Sequence, residues 1–349
     1  MENWKKNLVK FGLVATLVVS FTGCGSKSSS ETTTKQSSTA SAVETSKELP
    51  HAIIGQSSWI GFAPLFIAQD KGFFKAHGAD VEIQSIESKA DSKSALAANR
   101  IQGVSTSADT QVVNAAAGID IAQIFALDTS AGGDGIIAKK EYKDIESLKG
   151  KKVALDTTGG ADFFWFQYLL RDLGMSLDDF DVQSMSAGNA GAAFVAGKVD
   201  AAITWQPWLS KAEGTDFGYT MMDSTASPGV IIDTFAMKKD YIAEHPEVAQ
   251  AIVDGWYDAL DYIKSNPDDA IAIMAKHLGE DAEATKGEMG DVIFYDEAQN
   301  KAYYGTSENP GDFYKIMDVA SDLWLEVGLI DTPVEAASII DDSFLDRSN

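Results

Sequence analysis

GKVDAAITWQPWL, residues Gly197 to Leu209, runs from a glycine turn through a short apolar strand to an aromatic corner and on into a helix. Val199 to Thr204 are mostly small or apolar, as a strand buried inside a sheet requires. Pro207 suits the first turn of a helix, because its φ is fixed and its missing N–H would have had no helical partner there. Trp205, Gln206 and Trp208 therefore fall at the carboxyl end of a strand. In open α/β sheets that is where ligands bind. Two indoles and an amide at such an end predict one wall of a pocket. The plainer reading is that the indoles only pack a sheet edge.

Working outward, the same strand–helix alternation covers the body of the chain. On the amino side, His51 to Gln56 reads as a strand. A helix follows from Pro64 through APLFIAQDKGFFKAHG to Gly78, with Leu65, Ala68, Phe73 and Phe74 inward. Strands are expected at Val81–Ser85, Gly103–Ser105 and Ile121–Ala126, and helices at Asp91–Asn99 and from Ser107 to near Gly118. Asp128 to Asp134 is polar and glycine-rich and reads as a turn, and Gly135–Lys139 is extended again. A second unit opens at Lys149, with strands at Val153–Leu155 and Asp181–Ser184 and helices at Phe163–Leu173 and Ala187–Ala196. Beyond the aromatic corner, Thr220–Asp223 and Val230–Ile232 read as short strands. From Asp240 the pattern is helical; Val248, Ile252, Trp256, Leu260 and Ile263 share one face. The alternation predicts an α/β fold of mostly parallel sheets flanked by helices.

The amino end is different. Lys5, Lys6 and Lys10 precede an apolar run, Phe11 to Phe21, too short to span a membrane but suited to a signal peptide. The order Phe21-Thr22-Gly23-Cys24 resembles a bacterial lipobox, so residues 1–23 are expected to be removed and Cys24 to carry lipid. Residues 24–50 are Ser- and Thr-rich and read as a flexible tether. The chain has 349 residues and a formal charge of −24; the leader carries three lysines against one glutamate, so its loss takes the charge to −26. That balance argues against nucleic acid or an anionic surface as partner. Cys24 is the sole cysteine, which excludes a disulfide framework and a cysteine nucleophile in the body. The four histidines, His51, His77, His245 and His277, lack metal-ligand spacing, and no phosphate loop or nucleophile elbow occurs. No catalytic residue, cofactor or metal is expected.

GFAPLFIAQDKGFFKAHG, GVSTSADTQVVNAAAG, DIESLKGKKVAL, GKVDAAITWQPWL and HPEVAQAIVDG, in that order, resemble the solute-binding proteins of the nitrate/sulfonate/taurine class of ABC importers. The resemblance covers most of His51 to about Gly328. It implies a two-lobed, periplasmic-binding-protein-like fold of type II, with a small ligand closed between lobes. Lobe 1 would comprise residues 51–135 and 234–349, and lobe 2 residues 136–233. The chain would cross near Ile136 and Asp233, and the carboxyl-terminal helices would return to lobe 1. It also implies a permease and an ATPase as partners; with the acidity and the lipobox-like order, the expectation is a monomer that binds no nucleic acid and is held outside the cytoplasm through Cys24.

The strand-end loops supply the candidate ligand-binding residues. They are Ser57, Trp59 and Phe62 after the first strand, and Ser107 and Asp109 before the third helix. Asp128, Thr129, Ser130 and Asp134 lie at the crossing, and Thr158, Gly159, Gly160 and Asp162 before the second-unit helix. Trp205, Gln206 and Trp208 complete the wall, with Asp233 beside the return crossing. Helix N-termini offer unpaired N–H groups, so Thr158 to Gly160 are expected to hold a small oxyanion unless the helix is simply capped there. None of these loops contains Arg or Lys, whereas Asp109, Asp128 and Asp134 stand among aromatic residues, Trp165 included. Carboxylates with aromatic faces suit an ammonium group. For some of these aspartates, capping is the competing role. The expected ligand is a taurine-like or aliphatic sulfonate carrying an amine. The alternatives are a heteroaromatic such as a thiamine or pyrimidine precursor, or a lipid-anchored sensor with the same clamshell. Enzymes that share such a fold by family analogy lean on cysteine chemistry this body lacks.

Overall fold

The computed structural model describes residues 48–306 and 308–348. The expected signal peptide, the lipidated Cys24 and the tether up to Lys47 lie outside the described residues.

Two sheets carry the fold. The first contains β1 (His51–Gln56), β2 (Asp80–Ser85), β3 (Gly103–Ser107), β4 (Ile121–Ser130), β10 (Ile232–Lys238) and β11 (Val292–Phe294). Its strand order is β11-β4-β10-β3-β1-β2. The second contains β5 (Asp134–Lys139), β6 (Lys152–Leu155), β7 (Asp181–Ser184), β8 (Ala201–Trp205) and β9 (Gly218–Asp223), in the order β7-β6-β8-β5-β9. Each has a parallel part, β2-β1-β3 in one and β7-β6-β8 in the other. Each is then extended by antiparallel strands: β10 pairs with β3 and β4, β11 with β4, and β5 with β8 and β9. The sheets are therefore mixed rather than mostly parallel. The cause is the double crossing. A chain that leaves one sheet after β4 and re-enters it as β10 must run back against its neighbours.

The expected turn at Asp128–Asp134 shrinks to residues 131–133, because Asp128, Thr129 and Ser130 are the last residues of β4. Pairing with β10 on one side and β11 on the other satisfies their backbone groups, and this overrides their polar, turn-like composition. The return crossing is residues 224–231, and the strand begins at Ile232 rather than Val230.

Helices flank both sheets. α1 (Pro64–Lys71) and α2 (Phe73–Ala76) replace the single expected helix; Gly72, at φ +75°, ends the first and opens the second. α3 (Lys89–Ala97) is capped by Ser88, whose Oγ accepts the Asp91 N–H at 3.2 Å, so it starts two residues before the expected Asp91. α4 (Ala108–Ala116) follows β3, and α5 (Ala161–Leu173), α6 (Ala187–Val195) and α7 (Trp208–Glu213) flank the second sheet. The carboxyl-terminal part is α8 (Lys239–Glu244), α9 (Pro246–Ser265), α10 (Pro267–Leu278), α11 (Ala282–Glu288), α12 (Glu297–Tyr304) and α13 (Asp312–Glu326). In α9, Val248, Ile252, Trp256 and Leu260 are buried and Ile263 is half-buried, as their spacing predicts. α9 packs on α1 and α2, where Gly255 lets Phe74 approach: a Cβ there would stand 2.6 Å from its ring. α13 does more than return to the first sheet. Its Trp324 stacks on Phe163 and meets Phe164 edge-on, both in α5, while its indole N–H donates to the Asp109 carbonyl in α4. Among the described residues no helix is long and apolar enough to cross a membrane.

Candidate functional site

A cavity of about 290 Å³ opens at the carboxyl ends of β1, β3 and β8, the start of β5, and the first turns of α3 and α5. Of the residues expected from strand ends, Ser57, Trp59, Phe62, Ser107, Asp134, Gly159, Gly160, Asp162, Trp205, Gln206 and Asp233 line it. The remainder stand behind the wall. Asp128 accepts the Trp59 indole N–H at 3.2 Å and so sets that ring. Asp109 accepts the Gly160 N–H at 3.1 Å. Thr129 donates to the Ile231 carbonyl, and Ser130 is bonded to Ser224 and accepts the Asp134 N–H; these two tie the crossing strands together. Thr158 turns back on Asp156. Trp208 lies over Gly191 of α6 with Lys211 above its ring, and Trp165 is buried in the core; neither reaches the cavity. Of the two indoles in the opening stretch, one therefore lines the wall and the other packs an edge. Thr234, in β10 just past the return crossing, donates to Gln123 inside the first sheet.

The wall is acidic. Asp134, Asp162 and Asp233 are each 4–6% exposed, and Asp109 and Asp128 sit behind them at 3% and 0%. Burial raises Asp134 to about 6, against the pull of Ser130 and Asp162. Burial raises Asp128 to about 7, with the Asp134 charge adding to it while Trp59 and Asp233 oppose. Asp162 is pushed well up by burial and by Asp134, with Lys89 opposing. Asp233 is pushed well up by burial and by the charges of Asp128, Asp134 and Asp109. Water-excluded carboxylates crowded together favour their protonated forms.

Several functional positions escaped the strand-end search. Gln56, the last residue of β1, and Ser105 on β3 line the cavity, and their Oε1 and Oγ are buried without a partner; Asp162 Oδ1 is a third such atom. Both Gln56 and Ser105 were open to prediction as the final residues of expected strands, although β3 in fact runs on from Ser105 to Ser107. Lys89 and Lys93 also line it, from α3 rather than from a strand end. The expectation that cations are lacking thus holds for the loops but not for the cavity. Lys89 is committed within the chain: its ammonium lies 2.6 Å from the Gly159 carbonyl and 3.2 Å from Asp156. Two of the three N–H groups of the expected oxyanion cradle at Thr158–Gly160 are committed as well. The Thr158 N–H donates to Asp156 at 2.9 Å and the Gly160 N–H to Asp109. Gly160 itself has no side-chain cap to offer α5. Among the described residues, no group of three or more His, Cys, Asp or Glu side chains has the arrangement to hold a metal ion.

The sequence profile described as "NMT1/THI5 like" matches residues 59–270. A relative in Brucella abortus, whose name specifies no solute, is 26% identical over 217 residues, 61% of this chain and 66% of its own length. The taurine-binding periplasmic protein of Escherichia coli is 26% identical over 208 residues, 59% of this chain and 64% of its own. The crystal structure of the periplasmic aliphatic sulphonate binding protein of Escherichia coli superposes with a TM-score of 0.70 at 19% identity, covering 84% of this chain and 98% of that one. The chain thus has the periplasmic-binding-protein fold, and all three of these proteins are named as binding proteins, not enzymes.

Proposed function

This chain belongs to the NMT1/THI5-like family, and on that premise we propose that it is the solute-binding component of an ABC importer, taking up a small organic ligand with a cationic nitrogen. Residues 51–135 with 234–349, and residues 136–233, act as two lobes that close on the ligand. The protein works outside the cytoplasm as a monomer, anchored through Cys24, and delivers to a permease and its ATPase.

One observation carries the ligand class. Among the described residues, two of the unpartnered buried polar atoms on the cavity wall are acceptors, Asp162 Oδ1 and Gln56 Oε1, and the third, the Ser105 hydroxyl, can accept or donate. Asp134 and Asp233 stand on the same wall. Buried acceptors without donors are costly, and buried carboxylates without a cation more so. An ammonium or amidinium group supplies N–H donors and positive charge together, and the faces of Trp59 and Trp205 suit it. Taurine carries such a group; an aliphatic sulfonate without an amine does not. A flat cationic heteroaromatic is the second reading, favoured by Phe62 and Phe163 on the wall beside the two indoles.

Calorimetry with taurine, ethanesulfonate and an aminopyrimidine tests this. Ligands with the nitrogen are expected to bind and ethanesulfonate to fail. Tight binding of ethanesulfonate, unchanged in Asp162→Asn and Asp233→Asn, would sink the cationic reading.

A further inference from the structure

Gly159 and Gly160 present bare backbone to the cavity at the amino end of the thirteen-residue α5, at φ +104° and +102°. A helix start of this kind ordinarily attracts anions through its free N–H groups and partial positive charge. Here one of the chain's own carboxylates has taken the first of those donors, the Gly160 N–H, and a second closes the turn just before it. Asp109 Oδ2 accepts the Gly160 N–H at 3.1 Å, and Asp156 Oδ1 accepts from the Thr158 N–H and hydroxyl at 2.9 and 2.6 Å. Asp162, the second residue of the helix, adds a third carboxyl whose Oδ1 is unpartnered on the cavity wall. Lys89, the nearby cation, is held by Gly159 and Asp156. Asp109 has little freedom to withdraw. It is buried, and its carbonyl accepts the Trp324 indole N–H at 3.0 Å, which fixes its place in the first turn of α4.

We propose that Asp109 is a specificity-determining residue: seated on the Gly160 N–H, it stands in for an anion at the amino end of α5 and shuts sulfonate, sulfate and carboxylate groups out of that wall. The inference rests on reading the cavity as the ligand site and narrows the ligand class. The solute meets this wall with its cationic or neutral part. An entering oxyanion would find the Gly160 N–H already held by Asp109 behind the wall and would meet Asp156 and Asp162 on the wall itself, where Lys89 is tied to Gly159 and Asp156 and Lys93 is the other cation.

The test is calorimetry of the full chain with methanesulfonate and with inorganic sulfate, and ethylammonium titrated in parallel. Wild type is expected to give no saturable binding of either anion up to about 10 mM. Asp109→Ala, which frees the Gly160 N–H and removes one charge, is expected to gain methanesulfonate affinity by roughly tenfold or more. Asp109→Asn, which keeps an acceptor but not the charge, should gain less; it also decides the matter if circular dichroism shows that the alanine variant does not fold. Wild type binding methanesulfonate as tightly as the variants overturns the proposal. So does a folded variant that gains nothing. Failure of ethylammonium to bind wild type counts against the cationic reading of the cavity, and the methanesulfonate comparison still decides the role of Asp109.

Discussion

Asp162 carries an unpartnered Oδ1 in a wall where its neighbours are also acids, and that single atom joins stability to binding. In the unliganded protein, burial and Asp134 hold it toward the protonated form, so at alkaline pH, where an exposed carboxyl is ionised, keeping it folded costs free energy. Asp162→Asn should therefore stabilise the unliganded form at pH 8 by about 1–2 kcal/mol, read as a raised urea midpoint. The same change should weaken an amine-bearing ligand by roughly tens-fold, read by calorimetry. A variant that loses both stability and binding would mean that Asp162 is simply structural. The pH dependence follows from Asp109 and Asp134, held up at about 6, and Asp128, at about 7. Their folded values lie above the ordinary carboxyl value, so between them the folded state binds more protons than the unfolded one. Stability of the unliganded protein should fall as pH rises from about 4 to 7 and stay lower above that. Binding of a cation should run the other way, strengthening from pH 5 to 8 with release of protons. Taurine titrations at pH 6.5 in two buffers of different ionisation enthalpy measure that release; an identical heat in both would contradict it.

At the scale of elements, the aromatic corner is a packing joint as well as a wall. A Cβ on Gly191 would lie 2.3 Å from Trp208 Cγ, so Gly191→Ala must push α7 from α6 or turn the indole. Overpacking of this kind costs about 1–3 kcal/mol, and a urea titration should show it as a lowered midpoint. An unchanged midpoint would mean that the indole swings away freely. This corner also shows what a sequence discloses. The strand, expected at Val199–Thr204 and found at Ala201–Trp205, and the placing of Trp205 and Gln206 on the wall were legible from local composition, although Pro207 caps the helix from just outside rather than sitting in its first turn. The outward turn of Trp208 was not, because it depends on a bare Gly191 in a different helix. The same distinction explains the larger misreadings. β4 runs on through Asp128–Ser130, and β11 forms at all, only because distant strands supply the pairing. Lys89 looked like part of a connecting loop, yet the Ser88 cap draws it into the first turn of α3 and toward Gly159. Asp109 was legible as a helix-start residue, but its partner, Gly160, is 51 positions away.

For the whole molecule, two short crossings, residues 131–133 and 224–231, join the sheets, and α13 touches both α4 and α5 through Trp324. Short crossings suit a hinge, and a ligand drives closure only through tighter binding to the closed form. Small-angle scattering of the protein with saturating ligand should show a smaller radius of gyration than without it; an unchanged profile would contradict closure. The anchor is tested by Cys24→Ser, which should release the protein into the medium or leave it unprocessed. A variant that remains membrane-bound with normal processing would contradict it. The cationic ligand is the central claim. It is tested most directly by native mass spectrometry of the protein purified from its own host, with the captured molecule then released and identified. The account predicts a small organic molecule with a protonatable or permanently charged nitrogen. An inorganic oxyanion or an amine-free sulfonate, bound at full occupancy, would contradict it.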